Sequence, residues 1–386
     1  MIRNISVGID IGTSTTRIVV GEFLKGEKNP KVIGIGESET KGVRHGYITH
    51  ANETISSLKI ALEIAEKSSG IKIRRAFVSI SSSTLRSEIS NGSVVISKAD
   101  GEVTNLDIEK VQEDCEKNLN LGNKKIIHSF PLSFKLDSKE ILGRPEGMRG
   151  TKIEGKTLFI TSSYQHWEDL LEVITEAGVE PIGVIASPIA GSYIALSEKQ
   201  KIVGSALVDI GSETVSLSVF EDGKIISLQT FSIGSADITN DIALGLRIPL
   251  EKAEALKIEN SSDVSKKKLT EITEARLSDI FELIENHLKK IKRNELLPAG
   301  IIFIGGGANT VGLEELARTS LKLPSKIGTT EMFGNAKTKL RDQSWFVALG
   351  LLLSRENSET YTEGTLLNFF KDAKNTIKSS FKQLMP

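Results

Sequence analysis

The sequence predicts an α/β protein of two related lobes, with a small α+β module inserted into the first. Three observations predict it: a strand–turn–strand programme that occurs twice, a break in that rhythm over 84–156, and a length of 386 residues, enough for two sizeable cores. The first copy runs as strands over 5–11, 16–23 and 32–37, a β-meander. Ile55, Leu58, Ala61, Leu62 and Ala65 then recur at helical spacing over 51–66, and 75–80 returns as a strand. The programme restarts near Ser205, with strands over 206–210, 214–220 and 224–231, a hairpin turn at Asp222-Gly223 and a helix over 237–244. A diverged duplication with a cleft between its halves is therefore expected. Within 84–156, strand-like runs 93–97, 125–130 and 133–136 surround one helix, 107–118.

Forty-nine basic against fifty acidic residues give a formal charge of −1, so no global field draws nucleic acid or an anionic surface, and no nucleic-acid partner is expected. Cys115 is the single cysteine, which rules out an internal disulfide and a Cys-based zinc cluster and suits a reducing cytoplasm; its expected role is packing. No basic segment leads into an apolar signal core at the start of the sequence, which points to a cytoplasmic chain. The longest apolar run, 345–353, falls well short of the ~20 residues that cross a bilayer and reads as a buried helix.

Each copy of the first hairpin carries the same turn. Gly8-Ile9-Asp10-Ile11-Gly12-Thr13-Ser14-Thr15-Thr16-Arg17 is matched by Leu207-Val208-Asp209-Ile210-Gly211-Ser212-Glu213-Thr214. A tight turn after a strand aims backbone N–H groups into one concavity, and glycine with small hydroxyl residues lets an anion approach closely, which favours phosphate. An aspartate in such a pocket repels phosphate unless a cation stands between them, so Asp10 and Asp209 suit Mg²⁺ held mainly through water. Alternatively each aspartate merely caps its own turn. A third element, the strand 301–304 followed by Gly305-Gly306-Gly307-Ala308, leaves bare backbone before a helix starting near Gly312, a surface for a flat ring and sugar.

These elements resemble the actin/Hsp70/sugar-kinase ATPase superfamily, whose fold is two-lobed and actin-like (ribonuclease H-like). Further segments resemble its FtsA family of bacterial cell-division proteins: Lys41-Gly42-Val43-Arg44-His45-Gly46-Tyr47-Ile48, Ile127-His128-Ser129-Phe130-Pro131, Gly147-Met148-Arg149-Gly150, Thr239-Asn240-Asp241-Ile242-Ala243, Ala253-Glu254-Ala255-Leu256-Lys257 and Val347-Ala348-Leu349-Gly350-Leu351. The resemblance implies subdomain 1A at 1–83, 157–200 and 341–356, an inserted subdomain 1C at 84–156, 2A at 201–231 and 296–340, and 2B at 232–295. It makes ATP with Mg²⁺ the expected ligand. Gly12, Thr13, Ser14, Thr15, Thr16 and Arg17 would form one phosphate loop, Gly211, Ser212, Glu213 and Thr214 the second, and Gly305–Ala308 the adenosine loop. Arg17 stands where many relatives carry lysine. Glu254 falls where relatives hold the ribose, with Lys257 beside it, or the two form a surface ion pair. Ser187 occupies the region where relatives orient an attacking water with Gln or Glu, so at most slow ATPase activity is expected.

The resemblance further implies self-association into filaments and binding of the C-terminal peptide of FtsZ by 2B, where 258–268 looks shorter than is usual and Lys266-Lys267-Lys268 either attracts an acidic peptide or is a solvated helix end. After a polar linker, 357–365, the segment 366–385 reads as an amphipathic helix. Leu366, Phe370, Ala373, Ile377, Phe381 and Leu384 form one stripe, and Lys371, Lys374, Lys378 and Lys382 gather on a flank. That pattern fits in-plane binding to an anionic membrane, or pairing with a partner helix. Together these features predict an ATP-binding cell-division protein, peripheral on the inner face of the cell membrane at the division site. A pilus-assembly protein of the PilM type and a small-molecule kinase of the superfamily are the alternatives.

Overall fold

The structure, a computed structural model, describes residues 4–27, 29–259, 266–330 and 338–354. The expected linker and amphipathic helix at 357–385 lie outside these residues.

The first lobe opens on the meander β1 (Asn4–Ile11), β2 (Thr15–Phe23) and β3 (Lys31–Glu39), followed by a hairpin of β4 (Val43–Arg44) and β5 (Tyr47–Ile48). Helix α1 (Ala51–Ser69) stops where Gly70 turns left-handed at φ 71° and returns its N–H to Glu66 O, and β6 (Arg75–Ile80) then joins β1 in parallel. The inserted module comprises β7 (Arg86–Val95), α2 (Asn105–Lys117), β8 (Lys124–Leu136), β9 (Lys139–Ile141) and β10 (Lys152–Ser163). The chain re-enters lobe one through α3 (Tyr164–Glu176), β11 (Glu180–Ala186), α4 (Ser187–Ala195) and α5 (Glu198–Val203). Lobe two holds β12 (Ser205–Ile210), β13 (Val215–Glu221), β14 (Lys224–Phe231), α6 (Ser235–Leu246), α7 (Leu250–Glu259), α8 (Lys266–Lys290), β15 (Ile301–Ile304), α9 (Leu313–Leu321) and β16 (Ser325–Ile327). Helix α10 (Phe346–Leu352) returns to pack on β1, β2 and α4, buried as its apolar run requires.

The duplication is explicit in the strand order. Lobe one reads β11-β6-β1-β2-β3 and lobe two reads β16-β15-β12-β13-β14. In both, an antiparallel hairpin carries a parallel strand on its other side, joined through helices. The Asp222-Gly223 turn has φ of 52° and 74°, the paired left-handed residues that a two-residue hairpin needs.

Two details differ from the sequence reading. The runs 125–130 and 133–136 are one strand, β8, because Pro131 sits opposite Thr157 at a register shift in the β8–β10 pairing, where a missing N–H costs least. The module also begins its first strand earlier, at Arg86, and its last strand runs on to Ser163, past the expected edge at 156. Nor is the module a free appendage. Arg86 pairs with Gln229 and Ser87 Oγ exchanges hydrogen bonds with the Leu228 backbone, so β7 extends lobe two's sheet to nine strands.

Alternation divides lobe two's sheet between two cores. Leu207, Ile302 and Ile304 face the core shared with lobe one, whereas Ala206, Val208, Ile210, Ile301 and Phe303 face lobe two's own helices. The module has a third, smaller core that contains Cys115, whose role is therefore packing.

Candidate functional site

The two predicted turns have one backbone design. Gly12 N donates to Thr15 O at 3.1 Å, and Gly211 N donates to Thr214 O at 2.8 Å. A Cβ on Gly12 would come within 2.8 Å of Thr15 O, and on Gly211 within 3.1 Å of Thr214 O, so glycine is what lets each turn close this tightly. The first turn leans on β3, with Thr40 N donating to Ser14 O and Thr16 Oγ1 hydrogen-bonded to Thr40 Oγ1. The second leans on the start of α6, where Ser235 N and Ala236 N donate to Gly211 O and Ser212 O.

The aspartates lie close enough to feel each other. Withdrawal from water, then the charge of Asp10, push the Asp209 carboxyl up to about 7, against a smaller opposing pull from Arg17. Asp10 is also raised by burial, offset by a 2.6 Å hydrogen bond from Ser79 Oγ and by Arg17. Two facing carboxylates that resist ionising together are what a divalent cation would relieve. Two are also too few to fill a shell of six oxygens, which leaves water and phosphate for the rest. The chain's own residues thus fit Mg²⁺, and such an ion would supply the positive charge that lets phosphate enter beside carboxylates.

Gly305 closes the floor. It has φ 86°, and a Cβ there would lie 2.3 Å from Asp209 Oδ1 and 2.5 Å from Ile210 O. Gly307 is similarly packed, 2.3 Å from the Ile210 side chain by the same measure, and Ala308 is buried in a short 3₁₀ turn, Gly306–Asn309. Gly306 alone has open space beyond it, a bare surface at the expected adenosine loop.

Several predicted site residues have other engagements. Arg17 lies opposite Asp10 in the β1–β2 register, but its Nε sits 3.2 Å from Glu37 Oε1 and its guanidinium lies over the Trp345 ring. Lys339 makes an ion pair with Glu37 and also lies over Trp345. Glu213 points to lobe one, where Arg44 Nε lies 2.9 Å from its Oε1 and His45 N donates to Oε2 at 2.7 Å. Glu254 accepts from Thr239 Oγ1 at 2.5 Å and pairs with Lys257, whose Nζ also donates to Ser235 O. The pair ties α7 to the start of α6. Ser187 is buried just past the end of β11, one residue beyond the Ala186–Ile80 pairing, and its Oγ has no partner among the described residues. In the 2B region α7 runs to Glu259 and α8 starts at Lys266, so 258–268 is helical at both ends. Lys266, Lys267 and Lys268 lie exposed on the first turn of α8.

Residue-pattern reading missed Ser79, Arg44, His45 and Trp345. Only the segment 41–48 carried a signal, a glycine at each side of Val43-Arg44-His45.

The family described as "Cell division protein FtsA" matches residues 206–350, and the one described as "SHS2 domain inserted in FTSA" matches residues 82–161. Cell division protein FtsA of Pseudomonas aeruginosa is 28% identical over 370 residues, covering 90% of this chain and 88% of the relative. That of Borreliella burgdorferi is 27% identical over 406 residues, covering 99% and 98%. The chain belongs to the FtsA family. Its FtsA-family assignment makes it an actin-like, nucleotide-binding cell-division protein, and the inserted module is the family's characteristic domain. Among solved structures, a PilM–PilN type IV pilus biogenesis complex is similar at a TM-score of 0.68 and 18% identity, covering 90% of this chain and 98% of that one, a likeness of fold alone. Among the described residues no helix is long and apolar enough to cross a membrane.

Proposed function

We propose that this FtsA-family protein binds ATP with Mg²⁺ between its lobes, assembles into filaments in that state, and tethers FtsZ to the inner face of the cell membrane at the division site. One observation supports the nucleotide reading above the others: two turns of the same backbone design carry Asp10 and Asp209 near enough for the charge of one to act on the other, and Gly305, which packs against Asp209, is followed by the open position Gly306. In this reading Gly12–Thr16 and Gly211–Thr214 hold the phosphates through backbone and hydroxyl donors, and Asp10 and Asp209 orient the water around the cation. Arg17 contributes positive charge rather than a direct clamp, because Glu37 and Trp345 already hold it. Glu254 retains a second carboxylate oxygen for the ribose while Thr239 and Lys257 fix its position.

Turnover is slow, because serine at Ser187 is a poor orienter of water; a rate near the enzyme median of ~10 per second would contradict this. Membrane attachment rests on the pattern of 366–385, where each lysine beside an anionic leaflet contributes about 1 kcal/mol. A single copy then binds reversibly, and a filament of many copies stays on the surface. Binding of the FtsZ C-terminal peptide is assigned to α6–α8. The test is to add protein to anionic vesicles with ATP and look for membrane-attached filaments, comparing the parent with Asp209→Ala and with a chain ending at Arg355. Membrane filaments for the parent alone are expected. Equal assembly by Asp209→Ala would break the link from nucleotide to polymer, and equal flotation of the shortened chain would remove the anchor.

A further inference from the structure

The loop between β4 and β5 touches both phosphate turns. Gly46 N donates to Thr13 Oγ1 at 3.2 Å on the lobe-one side, and Arg44 and His45 N hold the Glu213 carboxylate on the lobe-two side. A carboxylate is out of place in a turn shaped for phosphate, since it repels the ligand its own backbone invites. Here it is drawn aside: the Glu213 side chain is only 15% exposed, and its two oxygens are gripped by a guanidinium and a main-chain N–H, the pair of donors that a phosphate takes.

We propose that Arg44 and the N–H group of His45 form a binding site for the terminal phosphate of a nucleoside triphosphate, and that the Glu213 carboxylate occupies this site until that phosphate displaces it. The loop is shaped for the task. His45 and Gly46 both have left-handed φ, 48° and 80°, and a Cβ on Gly46 would lie 2.5 Å from Ser81 O, so the backbone is fixed against lobe one. His45 Nδ1 bonds to Glu213 O at 3.2 Å, which keeps the second turn in place when its carboxylate leaves. The exchange is energetically easy. Arg44 is 68% exposed, and an ion pair to so exposed a group contributes about 0–1 kcal/mol, which a multiply charged terminal phosphate outcompetes. A diphosphate has no group to present there and leaves Glu213 where it is. The cleft thereby distinguishes tri- from diphosphate at a contact between the lobes.

This inference rests on the reading of the cleft as a nucleotide site, and the experiment separates the two. Affinities of the full chain for ATP and ADP, each with Mg²⁺, are measured by calorimetry for the parent, Arg44→Ala and Glu213→Gln, with thermal melts to confirm folding. Arg44→Ala is expected to weaken ATP about tenfold and ADP by less than about twofold, the loss of one charge-assisted contact. Glu213→Gln is expected to tighten ATP about threefold, since it removes a competing charge worth about 0–1 kcal/mol, and to raise the affinity for ATP more than that for ADP. Equal changes for the two nucleotides, no change, or weaker ATP binding by Glu213→Gln would overturn the inference while leaving the nucleotide site intact. A parent that binds neither nucleotide would overturn both.

Discussion

Asp10 in the first lobe and Asp209 in the second end the same strand and enter the same turn, yet their surroundings differ. Asp10 has Ser79 on the neighbouring parallel strand and Arg17 across the hairpin. The corresponding neighbours of Asp209 are Ile304 and Ser216, and among the described residues no side chain donates to its carboxylate. Burial raises both carboxyls; the Ser79 hydrogen bond and Arg17 oppose the rise at Asp10, whereas the charge of Asp10 adds to it at Asp209 and takes that carboxyl up to about 7. Duplication thus kept the backbone of the phosphate turn and let the charge support diverge.

The largest expected effect lies beneath Asp209. Gly305→Val forces a side chain into a left-handed position 2.3 Å from Asp209 Oδ1, and it should cost about 3 kcal/mol or more, read as a lower urea midpoint. Gly306→Ala, which adds its methyl to open space, should melt with the parent and lose only nucleotide affinity. Equal loss of stability in both variants would break the distinction between floor and ligand face.

The pH dependence of the nucleotide-free protein is the next effect. The unfolded Asp209 ionises near 3.8, while the folded one holds its proton to about 7. At this carboxyl the native state binds more protons than the unfolded state between those values, so its contribution to stability declines as pH rises from about 4 to about 7, by at most about 1.4 kcal/mol per pH unit. The buried His128, His166 and His287, each lowered to about 4 by burial, act in the opposite sense and add stability as pH rises toward 6.5. Urea titrations at pH 5 and 8 should therefore show the parent gaining less stability over this range than Asp209→Asn, with recovery of the parent at pH 8 on adding Mg²⁺ with ATP.

Smaller again is Arg17→Ser, which gives lobe one the residue type that lobe two has at Ser216. It should weaken ATP about tenfold, the loss of one nearby positive charge. Ser79→Ala should cost least, about 1 kcal/mol, because it removes one hydrogen bond from Asp10, seen as a small shift in melting temperature.

Much of this was legible before any coordinates. The paired Asp-x-Gly turns, the glycine loop and the doubled strand programme are local patterns, written within ten or so consecutive residues, and the two sheets reproduce them. What escaped was long-range. Ser79 reaches Asp10 only through the parallel β1–β6 pairing, and β7 joins β14 across the whole of the inserted module. The resemblance placed Glu213 and Arg17 in the phosphate loops, and it locates a residue in a turn without saying which neighbour holds its side chain. Here Arg44 and Glu37 do so. The two runs 125–130 and 133–136 proved to be one strand because Pro131, which would break an isolated strand, is tolerated at a register shift within a paired one.

The most direct measurement is calorimetric titration of the protein with ATP, with and without Mg²⁺, for the parent, Asp10→Asn and Asp209→Asn. If the two lobes close on one cation-bridged nucleotide, the parent binds far more tightly with Mg²⁺, and each substitution removes about 10- to 100-fold of that advantage, as loss of a group acting through metal-bound water does. Parent affinity that ignores Mg²⁺, or a substitution in one lobe that leaves the Mg²⁺ advantage intact, would contradict a site shared between the lobes.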